Sequence, residues 1–135
     1  MSFEQPEPGP ADCDGEVHPA ALRGFKLFNA GDYWHAHEAL EEAWLAEQGE
    51  IRHLYRGILQ VAVTYYHICR ANYAGALKVY ARSQRWLLPF TDECRGIQVG
   101  QLRADLDATM VMVKRLGPEH LAEFEQELLR PLVWR

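Results

Sequence analysis

Apolar residues recur at intervals of three and four along most of the chain, which is the spacing of a helix that buries one face. No segment alternates between apolar and polar residues over a sustained length, so we predict an all-α fold without a sheet. The pattern indicates one compact bundle of about five to six helices. The predicted helices cover about 19–30, 33–47, 51–71 and 73–88, then a stretch from Val99 through Val113, and a short segment carrying Leu121, Phe124 and Leu128.

Residues that begin or end helices fall between these segments. Gly31 is suited to a left-handed helix exit, and Asp32 and Asn72 can each cap the helix that follows. Pro89 ends the fourth helix because it cannot continue the hydrogen-bond ladder. Gly57 lies inside the longest helix, where a glycine costs about 1 kcal/mol, so we expect close packing against a neighbouring helix there.

A weak internal repeat relates two parts of the chain at an offset of forty residues. It predicts two helical hairpins of the tetratricopeptide type, each with a short capped turn. Two copies fall short of the three or so that a solenoid needs, so we expect a closed bundle. The aligned positions are Phe25, Phe28, Tyr33, Ala36 and Leu40 in the first copy, and Tyr65, Ile68, Tyr73, Ala76 and Tyr80 in the second.

The composition is that of one soluble domain, with 135 residues of which 48% are hydrophobic and 24% charged. Apolar runs are broken well before the roughly 18 residues of a membrane span. The N-terminus has neither a basic start nor an apolar stretch, so a cytoplasmic location is expected. The three cysteines, Cys13, Cys69 and Cys94, share no CxxC spacing and are expected to be free thiols, with Cys94 the most reactive.

The negative charge of the chain is concentrated at its N-terminus. Residues 1–17 hold five of the nineteen acids, several Pro and Gly residues, and no Lys or Arg, so we predict a flexible acidic arm there and a helical domain over 18–135. The domain is then neutral, with fourteen acids against fourteen Lys and Arg. A neutral body favours neither nucleic acid nor a membrane surface as a partner. Five arginines are expected to pair with surface acids rather than form an anion pocket: Arg52, Arg56, Arg70, Arg82 and Arg85.

The second predicted helix, DYWHAHEALEEAW, carries two histidines and three acids. At 100° per residue, His37 falls within the apolar stripe and Glu41 at its border, so the two can act as an imidazole and carboxylate pair. His35, Glu38 and Glu42 fall on the opposite side. The HxH pair therefore cannot chelate one ion.

The third helix offers a complement in the polar strip of Arg56, Gln60, Thr64 and His67. If helices two and three pack antiparallel, His37 approaches His67 while Glu41 approaches Gln60. Two imidazoles and one carboxylate can hold a divalent metal such as Zn²⁺, with water or Gln60 completing the shell. Two alternatives stay open, namely a structural hydrogen-bond cluster and a strip that faces water.

Three separated blocks of this sequence resemble the family known as domain of unknown function 309. They are Phe28, Asn29, Gly31, Tyr33, His37, Glu38, Leu40, Glu41 and Trp44, then Arg56, Gly57, Ile58, Gln60, Ala62 and His67, then Asn72, Gly75 and Ala76. The resemblance covers about residues 20–90 and implies a compact bacterial or archaeal helical bundle with no established activity. It departs at Trp34-His35, where the family has an aromatic residue followed by Glu.

Two functions fit these observations. The first is a noncatalytic bundle that binds a protein partner or small ligand in a groove lined by helices two to four. The second is a metal-dependent hydrolase with His37, Glu41 and His67 as ligands, Gln60 orienting a water and Glu38 as base. GxSxG, GxxxxGK[ST] and GxGxxG motifs are absent, which leaves serine-hydrolase and nucleotide-dependent activities without support. Exposed aromatics such as Tyr73 or Trp134 would suit a homo-oligomer interface.

Overall fold

The computed structural model describes residues 12–135, and five α-helices account for most of them. The all-α prediction is confirmed, and the first four predicted helices agree with the structure to within two residues at either end. The helices are α1 (Pro19–Asn29), α2 (Tyr33–Ala46), α3 (Ile51–Cys69), α4 (Tyr73–Leu87) and α5 (Val99–His120). Within the described part of the chain, none of them is long and apolar enough to cross a membrane.

The two hairpins α1–α2 and α3–α4 have equivalent turns, which confirms the repeat at forty residues. Gly31 and Ala71 occupy the same place in the two turns, and both have left-handed backbones with φ of 80° and 57°. The next residues, Asp32 and Asn72, cap α2 and α4 by accepting hydrogen bonds from the backbone N–H groups three residues on. Short turns and extensive contacts make α1 to α4 a series of antiparallel neighbours.

The core of the four-helix part is built from aromatic side chains. Phe28 lies 5.3 Å from Tyr33 and 5.5 Å from Tyr65, between ring centroids. Close approach of α3 and α4 is confirmed at Gly57, where a Cβ atom would lie only 2.8 Å from Leu87 Cδ2. This contact sets the spacing of the two helices, and Trp86 lies beside it.

The region after α4 differs from the prediction in two ways. Two short antiparallel strands, β1 (Glu93–Cys94) and β2 (Ile97–Gln98), form a small hairpin where no sheet was expected. Its turn is Arg95-Gly96, and positive φ at both residues is what a two-residue hairpin turn requires. The predicted break between the fifth and sixth helices is confirmed at Gly117, whose backbone is non-helical with φ of 72° and ψ of 175°. The segment expected to form the sixth helix instead forms two 3₁₀ turns, Leu121–Glu123 and Gln126–Leu128.

A disulfide joins Cys13 to Cys94, so the expectation of free thiols is wrong for both residues. Cys94 is fully buried rather than reactive. Spacing along the chain could not reveal the bond, because its cysteines are 81 positions apart. Cys69 is a free thiol, and burial raises its pKa.

Residues 12–17, the end of the predicted acidic arm, lie against the bundle, while residues 1–11 lie outside the described part. The Asp12 carboxylate is 2.7 Å from the Arg95 guanidinium and accepts a hydrogen bond of 2.9 Å from the Ile51 backbone N–H. The N-terminal end of α3 carries a partial positive charge, and the side chain of its N-cap residue, Glu50, makes no capping hydrogen bond there. The Asp12 carboxylate caps this end of the helix instead. We call residues 12–17 the N-terminal strap.

Candidate functional site

His37 is held by its own helix. Its Nδ1 donates to the backbone carbonyl of Trp34 at 3.0 Å, and its ring lies 4.7 Å from the Trp34 indole. The buried positions of α2 are Tyr33, Ala36, Ala39, Leu40 and Ala43, so His37 lies at the edge of the apolar stripe rather than inside it. Glu38 and Glu41 are both exposed.

His67 lies in the last turn of α3, next to the turn that leads to α4. Asn72 Nδ2 donates to His67 Nδ1 at 3.2 Å, while Asn72 Oδ1 accepts from the Gly75 backbone N–H at 3.0 Å. Burial lowers the pKa of His67, in agreement with a neutral ring that accepts a hydrogen bond. This arrangement matches the structural hydrogen-bond alternative, with Asn72 rather than Glu41 as the partner.

The structure does not assemble the predicted set of His37, Glu41 and His67 as metal ligands. Ring contacts run from His37 to Trp34, from Trp34 to Tyr66, and from Tyr66 to His67. Nowhere in residues 12–135 do three or more His, Cys, Asp or Glu side chains form a group suited to a metal ion. Gln60 lies in a groove with residues of α4, and His67 pairs with Asn72 at the start of α4, so neither of them faces Glu41.

Two members of the polar strip predicted on α3, Arg56 and Gln60, line an open groove between α3 and α4. The groove has a volume of about 430 Å³. We call it the arginine groove and define it by its lining residues: Arg56, Gln60, Ala81, Arg82, Arg85 and Trp86.

Indole rings fix the orientation of the guanidinium groups. Arg56 lies over Trp44 at 4.6 Å and over Trp86 at 4.3 Å, measured from its guanidinium carbon to each ring centroid. Arg85 lies 4.8 Å from the Trp86 centroid. Stacking of this kind attracts the cation to the ring and leaves the N–H groups at the guanidinium edge free to bind an oxyanion.

Two polar atoms near the groove lack hydrogen-bond partners among the described residues. Gln60 Oε1 and His53 Nδ1 are both buried and unpaired. The His53 ring stacks on Trp86 at 5.1 Å, and burial, followed by the charge of Arg52, lowers its pKa. An unpaired buried polar atom costs about 1–3 kcal/mol, so a ligand that lets Gln60 rotate and pair would recover part of that cost.

The expectation that the arginines pair with acids is wrong in the described part of the chain. Residues 51–91, which contain α3 and α4, hold six Lys and Arg and not one Asp or Glu. Arginine ion pairs with carboxylates in residues 12–135 are Arg23–Glu42, Arg95–Asp12 and Arg103–Asp92. The neutral total of 18–135 hid this segregation, and counting charge for each hairpin would have revealed it. The six basic residues are Arg52, Arg56, Arg70, Lys78, Arg82 and Arg85.

Two exposed leucines lie at the C-terminal ends of α2 and α4. Leu45 follows Trp44 at the end of α2, and Leu88 follows α4; their exposed fractions are 70% and 61%. Since α2 and α4 both run antiparallel to α3, their C-terminal ends lie on the same side of the molecule. Both leucines therefore lie toward the end of the bundle that holds Trp44 and Trp86.

These features define a class of protein, namely a small all-α protein of antiparallel hairpins with a basic, tryptophan-lined groove. Residues 21–79 match the model of the family described as "Domain of unknown function (DUF309)". The match confirms the resemblance, and it contains Arg56 and Gln60 but ends before Arg82.

Two curated relatives are uncharacterized proteins. One, from Aquifex aeolicus (strain VF5), is 32% identical over 84 residues, which is 62% of this chain and 25% of the relative. The other, YpuF of Bacillus subtilis (strain 168), is 44% identical over 57 residues, which is 42% of this chain and 33% of the relative. The chain thus spans a quarter to a third of the length of these relatives.

Proposed function

We propose that the protein is a noncatalytic binding module whose arginine groove holds an anionic group of a ligand or partner. The observation that carries the proposal is the placement of Arg56, Arg82 and Arg85 in one groove of a hairpin that contains no acid. Unpaired guanidinium groups bind carboxylates and phosphates in a bidentate manner. The proposal retains the noncatalytic binding function predicted from the sequence and narrows its groove from helices two to four to the arginine groove between α3 and α4.

The chemistry of the lining supports binding rather than reaction. The groove presents guanidinium, amide, indole and methyl groups, which hold and orient an anion without serving as nucleophile or general base at neutral pH. His53 stacks on the lining residue Trp86 but does not itself line the groove. The predicted base of the hydrolase alternative, Glu38, is exposed on α2.

Titration calorimetry with sodium tripolyphosphate, supported by tryptophan fluorescence, tests the proposal. We expect Arg82→Ala/Arg85→Ala to weaken binding by about tenfold or more. The matched control, Arg70→Ala/Arg115→Ala, removes the same charge outside the groove and should weaken binding by about twofold at most. Equal losses in the two variants, or no binding to the unmodified protein, would refute the proposal.

A cytoplasmic location remains part of the proposal, and the Cys13–Cys94 disulfide provides its test. Cytosolic proteins keep most thiols reduced, so this bond would be an exception there. Trapping of thiols with an alkylating agent in acid-quenched cells should show Cys13 and Cys94 reduced if the location is right. Oxidised cysteines in a correctly folded cellular protein would place it in an oxidising compartment.

A further inference from the structure

We infer that the ligand of the arginine groove is an acidic helical segment of a partner protein. This inference rests on the proposed function and specifies what is bound. Its first support is the spacing of the polar groups along the two walls. Arg82 and Arg85 lie about one turn apart on α4, and Arg56 and Gln60 lie one turn apart on α3.

A helix laid in the groove repeats its side chains with the same period. Carboxylates at positions i, i+3 or i+4, and i+7 of one helix lie on a single face at steps of about 5.4 Å. One row of carboxylates on that face can pair with Arg82 and Arg85 of α4, and the neighbouring row can pair with Arg56 of α3. Recognition of an amphipathic helix in a groove between two helices is a recurring mode of peptide binding.

The exposed leucines at the end of the bundle that holds Trp44 and Trp86 are the second support. A free inorganic anion would leave Leu45 and Leu88 in water, whereas a protein segment with an apolar residue at one end would cover them. Trp44, Trp86 and Arg56 are of the residue types that dominate protein–protein hot spots. The combination favours a peptide over a small anion.

Acids on the neighbouring helices are the third support. Glu41 is exposed on α2, and Asp107 is exposed on α5, where it accepts a hydrogen bond from Tyr80 of α4 at 2.8 Å. A nucleic-acid backbone needs positive charge over a longer path and would meet repulsion from these carboxylates. A short acidic helix fits the positive area between them.

The test compares two peptides of about 18 residues and identical composition in an alanine background. The designed peptide carries Glu at i, i+3, i+4 and i+7 followed by one Leu, and the other has the same residues in scrambled order. We expect the designed peptide to bind at least about tenfold more tightly than the scrambled one and to gain helical circular dichroism on binding. Arg82→Ala/Arg85→Ala should abolish the preference.

Leu45→Ser/Leu88→Ser should weaken binding of the designed peptide by about tenfold and leave tripolyphosphate binding unchanged. Leu128→Ser, at another exposed leucine, is the control and should change neither.

If tripolyphosphate binds in the groove but the two peptides bind equally, the helical inference is wrong and the proposed function stands. If no anion binds in a groove-dependent manner, both fail. Groove-dependent binding of a ten-nucleotide oligothymidylate more tightly than of the designed peptide would replace the peptide by nucleic acid and overturn the inference.

Discussion

His67 shows how one residue of a predicted site can have a different role in the fold. The sequence placed it correctly on the polar strip of α3, but the strip has two neighbouring helices and the helical period does not say which one it faces. Asn72 decides the matter, because its side chain both caps α4 and donates to His67 Nδ1. The sequence thus predicted Asn72 as a helix cap but did not reveal its hydrogen bond to His67.

The lowered pKa of His67 makes stability depend on pH. Because the folded protein holds this ring neutral, the unfolded chain takes up its proton first as the pH falls below the ordinary value of 6.5. We expect the free energy of unfolding to fall from about pH 7.5 to about pH 5.5, and His67→Gln to make that fall smaller. Urea unfolding at several pH values measures both.

His35 provides a control of opposite sign for the pH experiment. Its hydrogen bond to Asp32 raises the pKa of His35, so the folded state takes up this proton first and gains stability on acidification. His35→Gln should therefore make the fall with pH steeper. A His67→Gln protein with the same pH profile as the unmodified protein would contradict the assignment of His67 as a neutral acceptor.

At the scale of elements, the helices were predictable because their signals are local. Apolar spacing fixed the faces of α1 to α4, and Gly31, Asp32 and Asn72 marked the turns. The N-terminal strap and the β1–β2 hairpin were not predictable, because they depend on contacts between residues far apart in the chain, such as Cys13 with Cys94. Periodicity describes an element and its buried face, whereas a long-range tether leaves no periodic trace.

Gly57 tests the close approach of α3 and α4. In an exposed helix, Gly→Ala adds about 1 kcal/mol of stability, but a Cβ atom here would meet the buried side chain of Leu87 at 2.8 Å. We expect Gly57→Ala to lower the free energy of unfolding by about 1–3 kcal/mol in chemical denaturation. Since Trp86 Cβ also lies within 3.2 Å, the variant should bind tripolyphosphate more weakly. A more stable variant would show that the helices are less closely packed.

The strap should contribute to stability through its disulfide. Closing a loop across 81 positions restricts the unfolded chain, and bonds of this kind typically add about 2–4 kcal/mol. Cys94→Ser, or Cys13→Ser, should lose that amount in urea unfolding, and dithiothreitol should destabilise the unmodified protein but neither of these two variants. Cys69→Ser is the control, because Cys69 is free and only half-buried. Equal effects of all three serine variants would mean that the bond adds no stability of its own.

At the scale of the whole molecule, the distribution of charge says more than its total. A neutral domain indicated no preferred partner, yet the α3–α4 hairpin is uniformly basic. Segregation of this kind does not help a single chain to fold, since like charges repel. The hairpin therefore carries a cost in stability, and the proposed binding function would explain it.

The α4 helix provides a direct measure of that cost. Lys78, Arg82 and Arg85 stand at i, i+4 and i+7, so Arg82 has a like charge one turn away on either side. Each such pair destabilises a helix by about 0.2–0.5 kcal/mol, so Arg82→Gln should raise the free energy of unfolding by about 0.4–1 kcal/mol at low salt while weakening tripolyphosphate binding.

Salt should reduce the stability gain, because screening weakens the repulsion that the substitution removes. Urea unfolding at about 20 mM and about 300 mM salt measures the difference. Arg23→Gln is the matched control; it breaks the exposed Arg23–Glu42 ion pair and should not stabilise the protein. If Arg82→Gln destabilises the free protein at low salt, the arginine contributes to the fold itself, and the basic hairpin needs no ligand to explain it.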